Sequence, residues 1–220
     1  QLVPVVSISR LHHPDGVPSY RGLLTRDRAW GPLPRPLHES LERNFESESD
    51  TPEAIVAARA WFFSDQSGRL SQIDLAPAQD AGPTTARKEE FTAVALLCLE
   101  PNEPAVTGVE KTLLAGRWFK HGDERGIILP LHVAEQLGFG MTDIGRHVRL
   151  FGQNLPLVGI VDPVKFDEIR DIDGEPLTPV NFVMQQQMQA QQSAETKESD
   201  TLEEYIHYAT DQIAIVPYQF

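Results

Sequence analysis

The strongest constraint on the fold is the run at residues 146–162, which has the sequence RHVRLFGQNLPLVGIVD. Val148 and Leu150 alternate with polar neighbours, residues 152–154 are typical of a turn, and a second apolar segment follows. Apolar residues that recur with a period of two on both sides of a turn are the pattern of two paired antiparallel strands. The run therefore predicts a β-hairpin.

Four other apolar runs predict strands. Residues 64–90 are rich in Gly, Pro, Ser, Asp and Gln and predict a loop. The segment 51–63, TPEAIVAARAWFF, is ambiguous, because it begins like a helix but ends in three aromatic residues that prefer strands. The four predicted strands are residues 3–9, residues 91–99, the GIILP segment at 126–130, and the closing run that stops at Pro217.

Three segments predict helices. Pro36 suits a first helical turn, and apolar residues recur every four positions from there to about Glu48. The segment 109–119 predicts one or two helical turns closed by Gly116. Residues 131–138, LHVAEQLG, predict a short helix with Leu131, Ala134 and Leu137 facing inward and Gly138 as its C-terminal cap. Helices mixed with hairpin-linked strands predict an α+β fold.

Two stretches do not follow these periodicities. Five prolines make residues 14–36 irregular. Residues 183–204 contain a Gln-rich run with little apolar content, which predicts a mobile, partly helical or disordered excursion.

Composition limits the class of protein. Apolar residues make up 40% of the 220 residues, which is enough for a packed core. The net charge of −13 argues against binding nucleic acid, which needs a basic surface. Ten acidic and three basic residues lie between positions 163 and 204, so this part is the most acidic. Because the chain opens on Gln1 and runs straight into apolar residues, we expect it to be a fragment of a longer chain.

No residues are spaced for catalysis or metal binding. Cys98 lies inside an apolar run and is predicted to be a buried small hydrophobe. The motif His12-His13-Pro14-Asp15 and the motif His121-Gly122-Asp123-Glu124 are interpreted as solvated turns. The acidic segment Asp171 to Glu175 lacks the ligand spacing of a calcium loop. We therefore expect no enzyme activity, no cofactor and no catalytic metal. The remaining histidines, His38, His132, His147 and His207, stand singly.

The segment from Leu113 to Pro163, with a late IVPY run, resembles the extracytoplasmic core domain of MacB-like and FtsX-like ABC-transporter permeases. In that family a GR-aromatic step precedes a strand, a short A..LG helix follows, and a G..V.L.G hairpin comes next. The resemblance also favours a strand for residues 53–63. The matching residues are Gly116, Arg117 and Phe119; Ala134, Leu137 and Gly138; Gly145, Val148, Leu150, Gly152, Val158, Gly159 and Ile160; and Ile215, Val216, Pro217 and Tyr218.

The resemblance implies a non-catalytic domain on the outer face of the cell membrane, in the periplasm of bacteria that have one. It implies two lobes, a membrane-proximal one from residues 1–64 and 201–220 and a distal one from residues 65–200. It implies as partners the membrane helices of the permease, its cytoplasmic ABC ATPase, and a peptide, lipoprotein or lipid substrate. The matching residues would then have structural roles.

Two further expectations follow from this interpretation. The isolated domain should be monomeric or weakly dimeric, although the whole permease can be a homodimer. The two chain ends should lie on one face of the domain. The alternatives are a free-standing periplasmic binding or adaptor module of similar topology and, third, a hydrolase.

Overall fold

The computed structural model describes most of the chain from Ala57 onward. The predicted strand at 3–9, the proline-rich stretch and most of the predicted helix at 36–48 lie outside the described residues; Ser40 of that helix is described and is helical. Most of the Gln-rich stretch is also outside them. The described residues are 40, 55, 57–64, 72–78, 90–123, 125–171, 174–181, 183–185, 187–188 and 205–220.

Nine strands form a mixed sheet in the larger of two compact units, which comprises residues 57–169, 176–179 and 208–220. In the described part of the chain these strands are β1 Arg59–Phe63, β2 Ile73–Pro77, β3 Phe91–Ala93, β4 Ala95–Leu99, β5 Leu113–Gly116, β6 Ile127–Pro130, β7 His147–Leu150, β8 Gln153–Val161 and β9 Ile213–Pro217. Their order along the sheet is β1-β4-β9-β6-β8-β7-β2-β3, and β5 also pairs with β8.

Three short helices and two 3₁₀ turns connect these strands, so the predicted α+β class is confirmed. Ala134 in helix α2 (Leu131–Gln136) and Leu137 directly after it are buried as predicted, and Gly138 follows with a φ of +79°. Asp162 caps α3 by accepting hydrogen bonds from the N–H groups of Val164 and Lys165. None of the helices in the described part of the chain is long and apolar enough to cross a membrane. The helices that connect the described strands are α1 Glu103–Thr107, α2 Leu131–Gln136 and α3 Pro163–Asp167, and the 3₁₀ turns are Val109–Thr112 and Thr210–Gln212.

The long strand β8 connects the two halves of the sheet. Its first residues pair with β7 and complete the predicted hairpin. Its later residues pair with β6 in parallel and with β5 in antiparallel orientation. Every residue from Leu157 to Val161 is buried, as expected of a strand whose two faces are both covered.

Both faces of the central strands pack against apolar side chains. In β4, Leu96 faces one core together with Leu129 of β6, while Leu97 and Leu99 face a second core. The same alternation continues in β9. Because successive side chains of a strand point to opposite faces of the sheet, each of these strands contributes side chains to both cores.

Two sequence predictions between residues 64 and 99 were wrong. Residues 73–77, assigned to a loop, form β2, in which Ile73 and Leu75 are buried and Asp74 is exposed. The single strand expected at 91–99 is broken at Val94, so that β3 pairs with β2 while β4 pairs with β1 and β9. Local composition indicates neither strand β2 nor the break at Val94, because both depend on pairing with strands that are distant in the sequence.

Two further details differ from the sequence predictions. The helical turns expected before Gly116 end early, since Val109–Thr112 is a 3₁₀ turn and Leu113–Gly116 is strand β5. The hairpin turn was expected at 152–154 but consists of Phe151 and Gly152, which both have positive φ angles, +48° and +75°. The strand favoured for residues 53–63 is confirmed over residues 59–63, which form β1, while the described residues 55, 57 and 58 are not in a strand.

The smaller unit comprises residues 1–56, 170–175 and 180–207, few of which are described. The N–H of Asp171 donates to the carbonyl of Glu175. Val180 forms a β-bridge with His207, and residues 183–185 and 187–188 are helical. In the larger unit, β4 of the predicted distal lobe pairs with β1 and β9 of the predicted proximal lobe, and the division into two lobes stays a proposal.

Candidate functional site

The sequence motif centres on a close backbone crossing between β5 and β8. Gly116 is directly opposite Gly159 in the strand register. A Cβ atom on Gly116 would lie 2.2 Å from the carbonyl oxygen of Val158 and 2.8 Å from the Cα of Gly159. A Cβ on Gly159 would lie 2.9 Å from the carbonyl oxygen of Arg117. We call this pair the glycine crossing; only residues without a side chain fit there.

Arg117 closes the loop that follows the crossing. Its N–H donates to the carbonyl of Val158 at 2.9 Å, which extends the pairing with β8. Its guanidinium binds both carboxylate oxygens of Asp123, through Nη1 to Oδ2 and through Nη2 to Oδ1 at 3.2 Å. The N–H of Lys120 also donates to Asp123 Oδ2, at 2.8 Å. The bidentate pair fixes the loop in one conformation.

The pKa of Asp123 is held below its usual range, first by the hydrogen bond from Arg117 and then by the N–H of Lys120. A lowered folded-state pKa contributes stability above the unfolded value of about 3.9, and this stability is lost as the pH falls through the folded pKa. We expect Asp123→Asn to lower the free energy of unfolding by about 0.5–1 kcal/mol at pH 7, because the pair is partly exposed. The difference should close as the pH falls from the unfolded value of about 3.9 through the folded pKa of Asp123. Urea unfolding at pH 7 and at a series of more acidic pH values measures it, and a gap that widens in acid would contradict this account.

The two aromatic residues after Arg117 are both buried. Trp118 and Phe119 pack with ring centroids 5.3 Å apart, inside the core that also contains Val158. The indole N–H of Trp118 donates to the carbonyl of Glu100 at 3.2 Å, at the end of β4. The loop is therefore tied to two strands of the sheet at once.

Of the predicted motif residues, the structure brings Gly116, Arg117, Phe119 and Gly159 together around the start of this loop. Gly145 joins them through its N–H, which donates to the carbonyl of Leu157 at 2.7 Å. Three other motif residues lie elsewhere. These are Gly138 after α2, Gly152 in the hairpin turn, and Pro217, which is the last residue of β9.

The histidines do not gather in the described part of the chain. His121, His132 and His147 are exposed, while His12, His13 and His38 lie outside the described residues. The side chain of His207 is 7% exposed, and its Nε2 lies 2.9 Å from Oε2 of Glu175, which is buried. Nothing in the sequence indicates this contact, since the two residues are 32 positions apart in the chain. Among described residues no group of His, Cys, Asp or Glu side chains is arranged to hold a metal.

Two buried carboxylates were also missed. Glu103, at the start of α1, is fully buried and accepts hydrogen bonds from Arg59 Nε at 2.8 Å and Nη2 at 2.9 Å. Glu100, close by in sequence, is buried and accepts a hydrogen bond from the N–H of Ala58 at 3.0 Å. Together they attach the β1 strand and the residues before it to the end of β4.

The lone cysteine lies in β4, opposite Ala60 of β1 and Val216 of β9. Its side chain is partly buried against the first core. Burial raises the pKa of the Cys98 thiol to about 12. The thiolate that would act as nucleophile is therefore scarce at neutral pH.

No family model matches the sequence, and neither does any curated protein. Solved structures give weak likenesses. The periplasmic region of MacB from Actinobacillus actinomycetemcomitans is 11% identical, with a TM-score of 0.41 over 82% of this chain and 55% of that one. The extracellular domain of the noncanonic ABC-type transporter YknZ from Gram-positive bacteria is 14% identical, with a TM-score of 0.32 over 67% of this chain and 51% of that one. The chain thus spans about half the length of either structure, and similarity this low does not establish a shared family.

Proposed function

We propose that this chain is a non-catalytic extracytoplasmic domain of an ABC transporter permease. In this role it engages a substrate or an outer partner and relays ATP-driven motion from the membrane part. Its partners would be the permease's own membrane helices, the cytoplasmic ATPase, and a peptide, lipoprotein or lipid.

The observation that carries the proposal is the glycine crossing with its Arg117–Asp123 loop. The residues there that match the permease family have structural roles. Two glycines let the strands approach each other closely, and an ion pair closes the loop. A domain that relays force needs such fixed contacts and no reactive group. The central strands, buried on both faces, supply a stiff body for that purpose.

The proposal is tested by locating this domain in cells that make the full-length protein. Met141 is exposed, so a Met141→Cys variant offers a reactive thiol, whereas Cys98 with its raised pKa serves as an unreactive internal reference. We expect a membrane-impermeant maleimide to label the Met141→Cys protein in intact cells. The labelled protein should stay with the membranes through an alkaline carbonate wash.

Two outcomes would contradict the proposal in different ways. Labelling only after cell lysis would place the domain inside the cell. Labelled protein released by osmotic shock, with none left in the membrane pellet, would favour the free-standing periplasmic module.

A further inference from the structure

Two exposed methionines lie one helical turn apart in the smaller unit. Residues 183–185 and 187–188 are helical, and Met184 is 49% exposed and Met188 is 44% exposed. Residues four positions apart in a helix are neighbours on its surface, about 6 Å apart along the axis and about 40° apart around it. We call these two side chains the methionine pair.

Hydrogen bonds of Asn181 and Gln185 fix the turn that carries the pair. The N–H of Met184 donates to Oδ1 of Asn181 at 3.0 Å, and the N–H of Gln185 donates to the Asn181 carbonyl at 2.9 Å. An Asn that accepts in this way caps the start of a helix. Gln185 is buried, and its Oε1 accepts from the N–H of Ile206 at 3.0 Å. Because Gln185 faces inward, the helical period places Met184 and Met188 together on one flank of the turn.

The methionine pair offers a soft metal ion two donors of the same kind. A thioether sulfur is neutral and polarizable, so it binds soft ions such as copper(I) and silver(I) in preference to calcium or magnesium, which take oxygen ligands. Three rotatable bonds in each side chain let the two sulfur atoms turn toward a shared ion. A thioether has no proton to lose, so it is a ligand at neutral pH, unlike the Cys98 thiol with its pKa of about 12.

We propose that the methionine pair binds copper(I), with the thioether sulfur atoms of Met184 and Met188 as its two protein ligands. These donors are of a different kind from the His, Cys, Asp and Glu side chains, which form no metal-binding group among the described residues. The site is independent of the proposed permease role, because it is defined by these two side chains and the turn that carries them.

The test follows the ε-methyl signals of ¹³C-labelled methionine while silver(I), a redox-stable analogue of copper(I), is added to the chain. The sequence has three methionines, so three signals are expected, and Met141, which is 50% exposed, is an internal reference. We expect the Met184 and Met188 signals to shift together, along one titration curve, before the Met141 signal moves. Copper(I) kept reduced by ascorbate should give the same order, and calcium should shift none of the three signals.

Met184→Leu tests whether the two sulfur atoms act together. Leucine keeps the size and helix propensity of methionine without its sulfur, and the side chain is exposed, so the melting temperature should not change. We expect the Met188 signal to need about tenfold more silver(I), because a second donor is no longer held beside the first. Met141→Leu is the matched control and should leave the Met188 curve unchanged. Cys98→Ala, which removes the only thiol of the chain, should leave the order of the three signals unchanged.

Four results would overturn the proposal. Unmoved Met184 and Met188 signals would show that the pair does not bind. A Met141 signal on the same curve would show that any exposed thioether binds and that the helical spacing has no role. A Met188 curve that Met184→Leu leaves unchanged would show that the two sulfur atoms do not share an ion. Shifts with silver(I) but none with copper(I) would exclude copper as the occupant.

Discussion

Gly116→Ala should lower the free energy of unfolding by about 4 kcal/mol or more, so that little folded protein accumulates. The new Cβ would lie 2.2 Å from a carbonyl oxygen and 2.8 Å from a Cα, both in the backbone of β8. No rotamer change relieves a contact between two backbones. If β5 moved away, the hydrogen bond from Arg117 N–H to Val158 would break, and the loop closed by Asp123 would lose its anchor. Denaturant unfolding monitored by tryptophan fluorescence measures the change.

Gly138→Ala is the matched control for this prediction. Gly138 has nearly the same φ, +79° against +81°, but nothing lies within 4 Å of its added Cβ. The control therefore measures the cost of a left-handed alanine alone, about 1–2 kcal/mol. Similar losses in the two variants would mean that the strands separate freely and that the glycine crossing is not required.

The sequence predicts correctly those elements whose apolar periodicity and turn or cap residues all lie within one short segment. The hairpin at 146–162 has alternating faces and a turn glycine, and α2 has an apolar stripe that ends at Gly138. Strand β2 has the same alternation over only five residues, in a segment otherwise rich in turn formers. It becomes a strand because β3 and β7 pair with it on either side, which no local window contains.

The sequence marks Gly116 as important but predicts the wrong role for it, the end of a helical segment, whereas it is a strand residue opposite Gly159. A glycine after a short apolar run is typical of a helix C-terminus, and its φ is positive as a cap requires. The resemblance marked Gly116 and Gly159 as important without indicating that they face each other. Their pairing depends on the register of β5 on β8, with its irregularity between Leu113 and Ala115. Register is a property of the folded sheet.

The Arg59–Glu103 ion pair and the contact between Glu175 and His207 could not be predicted at all. Arg59 and Glu103 are separated by 44 positions, and Glu175 and His207 by 32. Charged residues are common on surfaces, so their identity alone favours exposure. Only the packing of β1 beside β4 shows that Glu103 has no access to solvent.

Glu103→Ala should cost about 3–5 kcal/mol, because it removes the fully buried partner of an ion pair. Arg59 donates through Nε and Nη2 to the two oxygens of Glu103, and the hydroxyl of Thr107 donates to one of them at 3.0 Å. The carboxylate is fully buried and the Arg59 side chain is 21% exposed. Removing the acid therefore loses two charge-assisted hydrogen bonds from Arg59 and the hydrogen bond from Thr107.

Lys165→Ala is the matched control, since Lys165 and Asp162 form a largely exposed pair at 3.4 Å that should be worth less than about 1 kcal/mol. The double variant Arg59→Met with Glu103→Leu separates charge from packing. Because it removes both buried charges, it should be more stable than Glu103→Ala alone. If the double variant is the less stable of the two, the stability lies in the hydrogen-bond geometry of the pair and not in the balance of buried charge. A double-mutant cycle on the free energies of unfolding decides between these accounts.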